Sequence, residues 1–412
     1  MCNEQCAIFL IAPPLRAFRE WPLPFVGRPV ISSAFMDEPL QTNFRWLRTG
    51  NEAFPAMLRL IEAAQQSVRL EMYIYSPAGP GDQVRDALVR AAQRGAQVRV
   101  LLDAVGSFGL ASSFWKPLHD AGGKFRWFNP LKFGRMTYRN HRKLLVCDET
   151  TAVVGGFNIA PEYLGDGVTS GWRDLGIEIR GTLAAELAET FDHSFSRSDL
   201  ELKPLQRFRR ATSRATISAE GWRLLLSGPG RGYNFLKRTL ATDLANAHTV
   251  RMICAYFLPT WRLRREIERV VRRGGRVQLL LAGKSDVRLS QLASRRLYQS
   301  LLKRGVEIYE YLPQVLHAKL FIVDEQVYVG SSNLDARSLN INYELLVRLS
   351  LPDAVREARE IFEEALSHSR RVDAQSWRRS RTIWTKLMER WAYFLLARVD
   401  PWWARAWGRY RP

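Results

Sequence analysis

The chain has 412 residues, 46% of them hydrophobic and 25% charged, which excludes a fibre or a disordered polymer and leaves room for two cores. Lys and Arg outnumber Asp and Glu by 61 to 41, a formal charge of +20 that points to an anionic partner, nucleic acid or acidic phospholipid. Four cysteines (Cys2, Cys6, Cys147, Cys254) lack metal-site spacing, so a reducing compartment without structural disulfides is expected.

In chain order, "MCNEQCAIFLIAPPLR" has a short apolar run without a basic flank or cleavage site, which argues against a secretory signal. Residues 1–35 are read as an N-terminal arm. No run reaches the eighteen or so apolar residues of a spanning helix, so any work on membranes is expected from the surface. From about Met36 an order of elements begins that is later repeated. "SVRLEMYIYSP" from Ser67 resembles "TVRMICAYFLP" from Thr249, both strand-like runs ending in proline. "RAAQRGAQVRVLL" from Arg90 matches "RVVRRGGRVQLLL" from Arg269: a basic helix end, a glycine stop and a strand. "AGGKFRWFNP" from Ala121 then answers "RGVEIYEYLP" from Arg304.

Strands alternating with helices predict an α/β fold of two pseudo-symmetric halves. The near-continuous apolar runs further predict mostly parallel sheets, mixed and flanked by helices. The boundaries are 36–206 for the first half, 207–216 for a basic, small-residue linker, and 217–368 for the second half. Residues 369–412 form a basic, Trp-rich tail.

Within each half one phrase carries chemistry: "HRKLLVCD" at His141 and "HAKLFIVD" at His317. Strand periodicity puts His141 and Lys143 on one side, as it does His317 and Lys319. An ammonium neutralises phosphoryl oxygens while an imidazole attacks phosphorus or moves a proton. Each strand is followed by a small-residue turn ending in asparagine, "GGFN" at Gly155–Asn158 and "GSSN" at Gly330–Asn333, suited to close approach of an oxyanion. One H-x-K is common by chance; two, in matching repeats, are not. His119, His193, His248 and His368 lack this context and read as ordinary.

H-x-K-x-x-x-x-D twice, each with G-G/S-x-N downstream, resembles the signature of the phospholipase D superfamily. "HAKLFIVDEQVYVGSSNLDARSLNINYELL" and "GGFNIAPEYLGDGVTSGWRDLGIEI" are similar to bacterial cardiolipin synthases, in layout to the short ones without N-terminal transmembrane helices. The resemblance covers about Met36 to His368. It implies an active site at the interface between the halves and two-step transfer through a phosphohistidine, with His141 and His317 as nucleophile and general acid/base, in an order it leaves open and with His141 preferred as nucleophile. It also implies that Lys143, Lys319, Asn158 and Asn333 hold the phosphoryl oxygens, with support from Gly156 and Ser331. Glycine at 156 leaves open any hydroxyl contribution from that half. Each histidine needs a carboxylate to set its tautomer, and the resemblance puts it downstream of the turn, at Asp174 and Glu344. Asp148 and Asp324, at strand ends, are expected to be structural. Neither metal nor cofactor is required.

The tail bears on the substrate. From Arg381, Ile383, Trp384, Leu387, Met388, Trp391, Phe394 and Leu395 fall at three-and-four spacing on one helical face, and "DPWWARAWGRYRP" follows. Such a segment suits a lipid headgroup boundary, although an apolar stripe more often packs on the body. The expectation is a peripheral enzyme on the cytoplasmic side of the inner membrane, moving a phosphatidyl group between two phosphatidylglycerol molecules with release of glycerol. Nucleic acid is a disfavoured partner, and no oligomer is needed to build the site. The alternatives are a hydrolytic phospholipase D, a metal-independent nuclease, or a non-enzymatic binder of anionic membranes.

Overall fold

The structure is a computed structural model describing residues 43–130, 138–198, 216–219, 221–229 and 235–400. The expected N-terminal arm, nearly all of the linker and the last twelve residues of the tail lie outside the described residues.

The first half opens with β1 (Asn43–Leu47) and α1 (Gly50–Ala63), then runs β2 (Ser67–Met72), α2 (Pro80–Gln93), β3 (Gln97–Asp103), α3 (Lys116–Asp120) and β4 (Lys124–Phe128). It closes with β5 (Leu144–Cys147), β6 (Thr151–Gly155), β7 (Gly176–Arg180) and α4 (Thr182–Arg197). The second opens with β8 (Thr216–Ala219), β9 (Trp222–Ser227) and α5 (Phe235–Asn246), then runs β10 (Thr249–Cys254), α6 (Trp261–Arg272), β11 (Arg276–Ala282), α7 (Arg288–Lys303) and β12 (Glu307–Tyr311). β13 (Lys319–Val323), β14 (Gln326–Gly330), α8 (Ala336–Asn340), β15 (Glu344–Leu349), α9 (Pro352–Ser367) and the short β16 (Ser369–Arg371) follow. Helices α10 (Ala374–Arg379) and α11 (Ile383–Phe394) follow, and α11 runs on into a π-helical stretch (Leu395–Val399) at the end of the described chain.

Among the described residues the two sheets run β1-β7-β6-β5-β2-β3-β4 and β8-β9-β15-β14-β13-β10-β11-β12-β16. Removing the edge strands leaves one topology used twice, β7-β6-β5-β2-β3-β4 matching β15-β14-β13-β10-β11-β12. Both sheets are mixed, and the expectation of mostly parallel strands is corrected. Parallel pairing is confined to β2-β3-β4 and β10-β11-β12, where helical crossovers intervene. From β5 and β13 onward the ladders are antiparallel, because three residues separate Cys147 from its partner Thr151 and two separate Val323 from Gln326. Connections that short can only fold a strand back on itself.

Alternation along β5 explains why its apolar run is continuous. Leu144 and Val146 face a core shared with Leu320, Ile322, Val327, Val329, Leu345 and Val347 of the other sheet, and with α4 and α9. Leu145 and Cys147 face a second core under α1 and α2. Phe321 and Val323 likewise enter a third core with α5, α6 and α7. The inner faces of the two sheets thus form one continuous interior, and burial on both faces leaves no polar stripe in the sequence. Burial of Cys147 and Cys254 in these cores pushes their thiols up, Cys147 to about 12, so both are inert fillers.

Asp148 and Asp324 fasten the two central strands. Asp148 accepts the backbone N–H groups of Gln65, Gln66 and Ser67 at 2.7–2.9 Å, and Asp324 those of His248 and Thr249 at 2.7–3.2 Å. Both adopt positive φ (52° and 50°), a conformation aspartate tolerates in a tight turn. Each therefore ties the end of one strand to the start of its neighbour.

Candidate active site

The segments carrying the two histidines meet across the interface between the halves. Tyr343 donates its N–H to Arg139 O at 2.9 Å and accepts that of His141 at 2.9 Å. The mirror contact joins Arg173 N–H to Val315 O and His317 N–H to Arg173 O, both at 2.8 Å. Each histidine segment is thus paired with the residue just before the opposite half's carboxylate.

The side chains follow this crossing. His141 Nδ1 lies 3.1 Å from Glu344 Oε2, and His317 Nδ1 lies 2.6 Å from Asp174 Oδ2. All four groups are buried. A carboxylate on Nδ1 fixes the ring and leaves Nε2 as the reactive nitrogen. Among the described residues the Nε2 of His141 has no protein partner, whereas Lys319 Nζ lies 2.8 and 3.1 Å from the two ring nitrogens of His317.

Lys143 is anchored by the carbonyl of His141 at 2.7 Å and lies 5.1 Å over the Tyr73 ring. Burial dominates its titration: with Lys319 nearby and only partial compensation from Glu344 and Asp174, its ammonium is pushed down to about 7. Lys319 is lowered by burial as well. Burial also lowers both imidazoles, that of His317 to about 4, and the neighbouring lysine ammonium groups push each the same way. Burial alone would raise the carboxylates, but their histidine and lysine neighbours outweigh it and hold both low. That Lys143 responds to Glu344, Lys319 and Asp174 together places groups from both halves in one electrostatic unit. An arriving phosphodiester adds negative charge beside these groups and so favours protonation of the lysines and imidazoles.

The small-residue turns serve the carboxylates. Ser331 donates its hydroxyl to Glu344 Oε2 at 2.5 Å. At Gly156 a Cβ would lie 2.0 Å from Asp174 Oδ1, so Asp174 fills the space that a serine would need. The glycine at 156 and the serine at 331 thus match a shorter and a longer acid. Asn158 is committed within the protein, accepting Ile74 N–H at 3.1 Å and donating to Tyr163 Oη at 2.6 Å. Asn333 Oδ1 is buried without a partner among the described residues.

Several contributors escaped the sequence reading. Tyr73 packs edge-on to His141 at 4.9 Å, while Tyr163, Trp172 and Tyr256 surround His317 at 5.4–6.4 Å. The repeated strand ends "MYIYSP" and "CAYFLP" held the signal for Tyr73 and Tyr256. Asp103 is a further omission. It accepts the N–H of Asn140 at 2.8 Å and faces Arg139 at 3.2 Å, while Glu71 accepts Asn140 Nδ2 at 2.6 Å. These acids brace the approach to His141.

The profile described as "Cardiolipin synthase, PLD-like domain" matches residues 57–197 and 240–366, spanning both histidine phrases. The chain belongs to this family. It is 32% identical over 353 residues to cardiolipin synthase 2 of Bacillus cereus, covering 83% of this chain and 68% of that protein. To the major cardiolipin synthase of Bacillus subtilis it is 30% identical over 347 residues, covering 82% and 72%. Among solved structures, a phosphatidylserine synthase from Haemophilus influenzae superposes with a TM-score of 0.70 at 15% identity, over 88% of this chain and 94% of that one, a likeness of fold. The phospholipase D-like family assignment thus accords with the repeated topology. Among the described residues no helix is long and apolar enough to cross a membrane.

Proposed function

We propose that the protein is a phosphatidyltransferase of the cardiolipin synthase type, acting on phosphatidylglycerol as a peripheral enzyme at the cytoplasmic face of the membrane. In the first step His141 Nε2 attacks phosphorus, a P–N bond forms and the P–O bond to the departing glycerol breaks. His317, protonated when the anionic lipid arrives, gives its proton to the glycerol oxygen. In the second step neutral His317 takes a proton from the free hydroxyl of a second phosphatidylglycerol. That oxygen attacks phosphorus, the P–N bond breaks, and cardiolipin leaves with both histidines restored. One phosphodiester replaces another, so no nucleotide is consumed.

The observation that carries this reading is the crossed pairing of His141 with Glu344 and His317 with Asp174, which makes a two-histidine site only where the halves join. The choice of His141 as nucleophile is supported by its unpartnered Nε2, whereas Lys319 approaches both nitrogens of the His317 ring. Lys143 and Lys319 would hold the nonbridging oxygens, and Asn333 would contribute from the adjoining turn. Asn158 is held by its own neighbours and is assigned to positioning.

The test is to incubate the protein with phosphatidylglycerol vesicles and analyse the lipids and released alcohol by mass spectrometry. Cardiolipin and glycerol in equal amounts are expected. Phosphatidic acid as the sole lipid product would mean that water takes the phosphatidyl group, and an unchanged lipid pool would overturn the reading.

A further inference from the structure

Helix α11 shows a reversal of the usual arrangement. Its packing face is narrow and mixed: Glu389 and Ala392 are buried, and Ala392 joins a small cluster with Leu258 and Ala293, against which Tyr393 and Leu396 pack. The apolar stripe lies on the other side. Ile383, Trp384, Leu387, Met388, Trp391 and Phe394 are all exposed, from 46% for Leu387 to 77% for Trp384. An apolar stripe ordinarily faces the core, so six large side chains turned to solvent along one helix mark a surface with an occupant.

Charge identifies that occupant. Arg378, Arg379, Lys386, Arg390 and Arg398 are exposed around the stripe, and between Ala374 and Val399 the only acid, Glu389, is buried. Two copies of so basic a face would repel each other, whereas an anionic bilayer offers both hydrocarbon and negative charge. The helix is regular: Thr382 caps it, accepting Thr385 N–H at 3.1 Å. It runs on without a break into a π-helical stretch, Leu395–Val399, and among the described residues no helix is long and apolar enough to cross a membrane, so the stripe suits lying along the hydrocarbon boundary. Beyond α11, Asp400 accepts a two-pronged ion pair from Arg337 at 2.7 and 2.8 Å. Arg337 lies four residues past Asn333, and its carbonyl accepts the N–H of Asn342, two residues before Glu344, at 2.9 Å. The end of the apolar helix is therefore fixed to the wall of the candidate active site.

We propose that α11 is an interfacial docking helix: its exposed Ile383–Phe394 face inserts into an anionic phospholipid surface, and the Arg337–Asp400 pair holds the site opening at that surface. The biological sense of this docking rests on the phosphatidyltransferase reading, but its test does not. The full chain is sedimented with vesicles of phosphatidylglycerol and phosphatidylcholine or of phosphatidylcholine alone. Turnover of a monomerically dispersed short-chain phosphatidylglycerol is measured alongside. The variant Trp384→Ser/Leu387→Ser/Trp391→Ser should lose at least about tenfold in partition to the mixed vesicles, since it removes three large apolar side chains from the contact, while dispersed turnover stays within about twofold. Lys386→Glu/Arg390→Glu should lose the preference for anionic vesicles. The proposal is overturned if the triple variant sediments like the parent. It is equally overturned if the substitutions convert a dimer to a monomer without changing vesicle binding, or if dispersed turnover falls as far as binding. A parent that docks through this face but converts no phosphatidylglycerol would leave the helix assignment standing and refute the enzymatic reading.

Discussion

The two histidines enter on equivalent strands, yet His141 is approached by polar braces and His317 is surrounded by aromatic and apolar side chains drawn from both halves. Asp103 and Glu71 grip Arg139 and Asn140 ahead of His141. At the corresponding places in the other half stand Ala282 and Ile253, and buried Leu316 precedes His317. Tyr163, Trp172 and Tyr256 crowd His317, and its lysine touches the ring. Among the described residues His141 meets one tyrosine ring, and although both lysines donate to the carbonyl of their own histidine, Lys319 alone also reaches the ring nitrogens. Duplication supplies two sites with the same parts, and divergence of neighbours gives each ring its own protonation behaviour. A transfer reaction needs that division, because one ring must be free to attack while the other holds a proton.

The largest effect should come from the rings themselves. His141→Ala and His317→Ala should each reduce formation of cardiolipin by about 10³-fold or more, with thermal unfolding little changed; loss of only a few-fold in either would break the division of labour. The carboxylates come next. Glu344→Gln and Asp174→Asn should each cost on the order of 10²-fold in kcat, since the amide no longer fixes the tautomer. Gly156→Ala should approach that loss, because its Cβ would sit 2.0 Å from Asp174 Oδ1. Ser331→Ala, which removes one hydrogen bond to Glu344, should cost about fivefold to tenfold. Comparable losses at 156 and 331 would show that the two turns are not specialised for different acids.

The pH dependence tests the same asymmetry. The Lys143 ammonium, pushed down to about 7, is charged below that value and neutral above it, so affinity for an anionic diester should fall as pH rises through it. His141 is lowered from 6.5, so protonation should silence the nucleophile only below that value. The profile of kcat/KM should therefore be a bell limited on the alkaline side by loss of the acid's proton as well as of the Lys143 charge, and Lys143→Arg should remove the lysine's share of that limb while the acid limb stays. A profile flat from pH 5 to 9 would contradict it. The smallest effect belongs to the brace: Asp103→Asn should lower stability by about 1–3 kcal/mol, read by denaturant unfolding, and slow turnover less than Asp174→Asn.

Much of this was legible in the residues. The repeated phrases gave two like halves and the order of elements, because both preserve spacing across 176 positions, from His141 to His317. Strand direction was not legible in the same way. Apolar runs such as Leu144–Cys147 report burial on both faces, and an antiparallel strand between two cores shows the same run as a parallel one. The short gaps at Asp148 and Asp324 held the better signal. Sequence distance also hid the crossing of Glu344 to His141, which depends on main-chain pairing between Tyr343 and residues 139–141. For α11 periodicity found the stripe but could not tell which face packs; Ala392 decides that, and no pattern marks it.

The central claim is one phosphorus served by two histidines in unequal roles. A phosphatidyl ester of p-nitrophenol, whose leaving group needs no proton, should let His317→Ala complete the first step and stall before the second. Mass analysis of that variant should then find one phosphatidyl group on His141, and none on any residue of His141→Ala. An adduct on His317 in the His141→Ala protein, with His141 unmodified in the other, would reverse the roles and contradict the account.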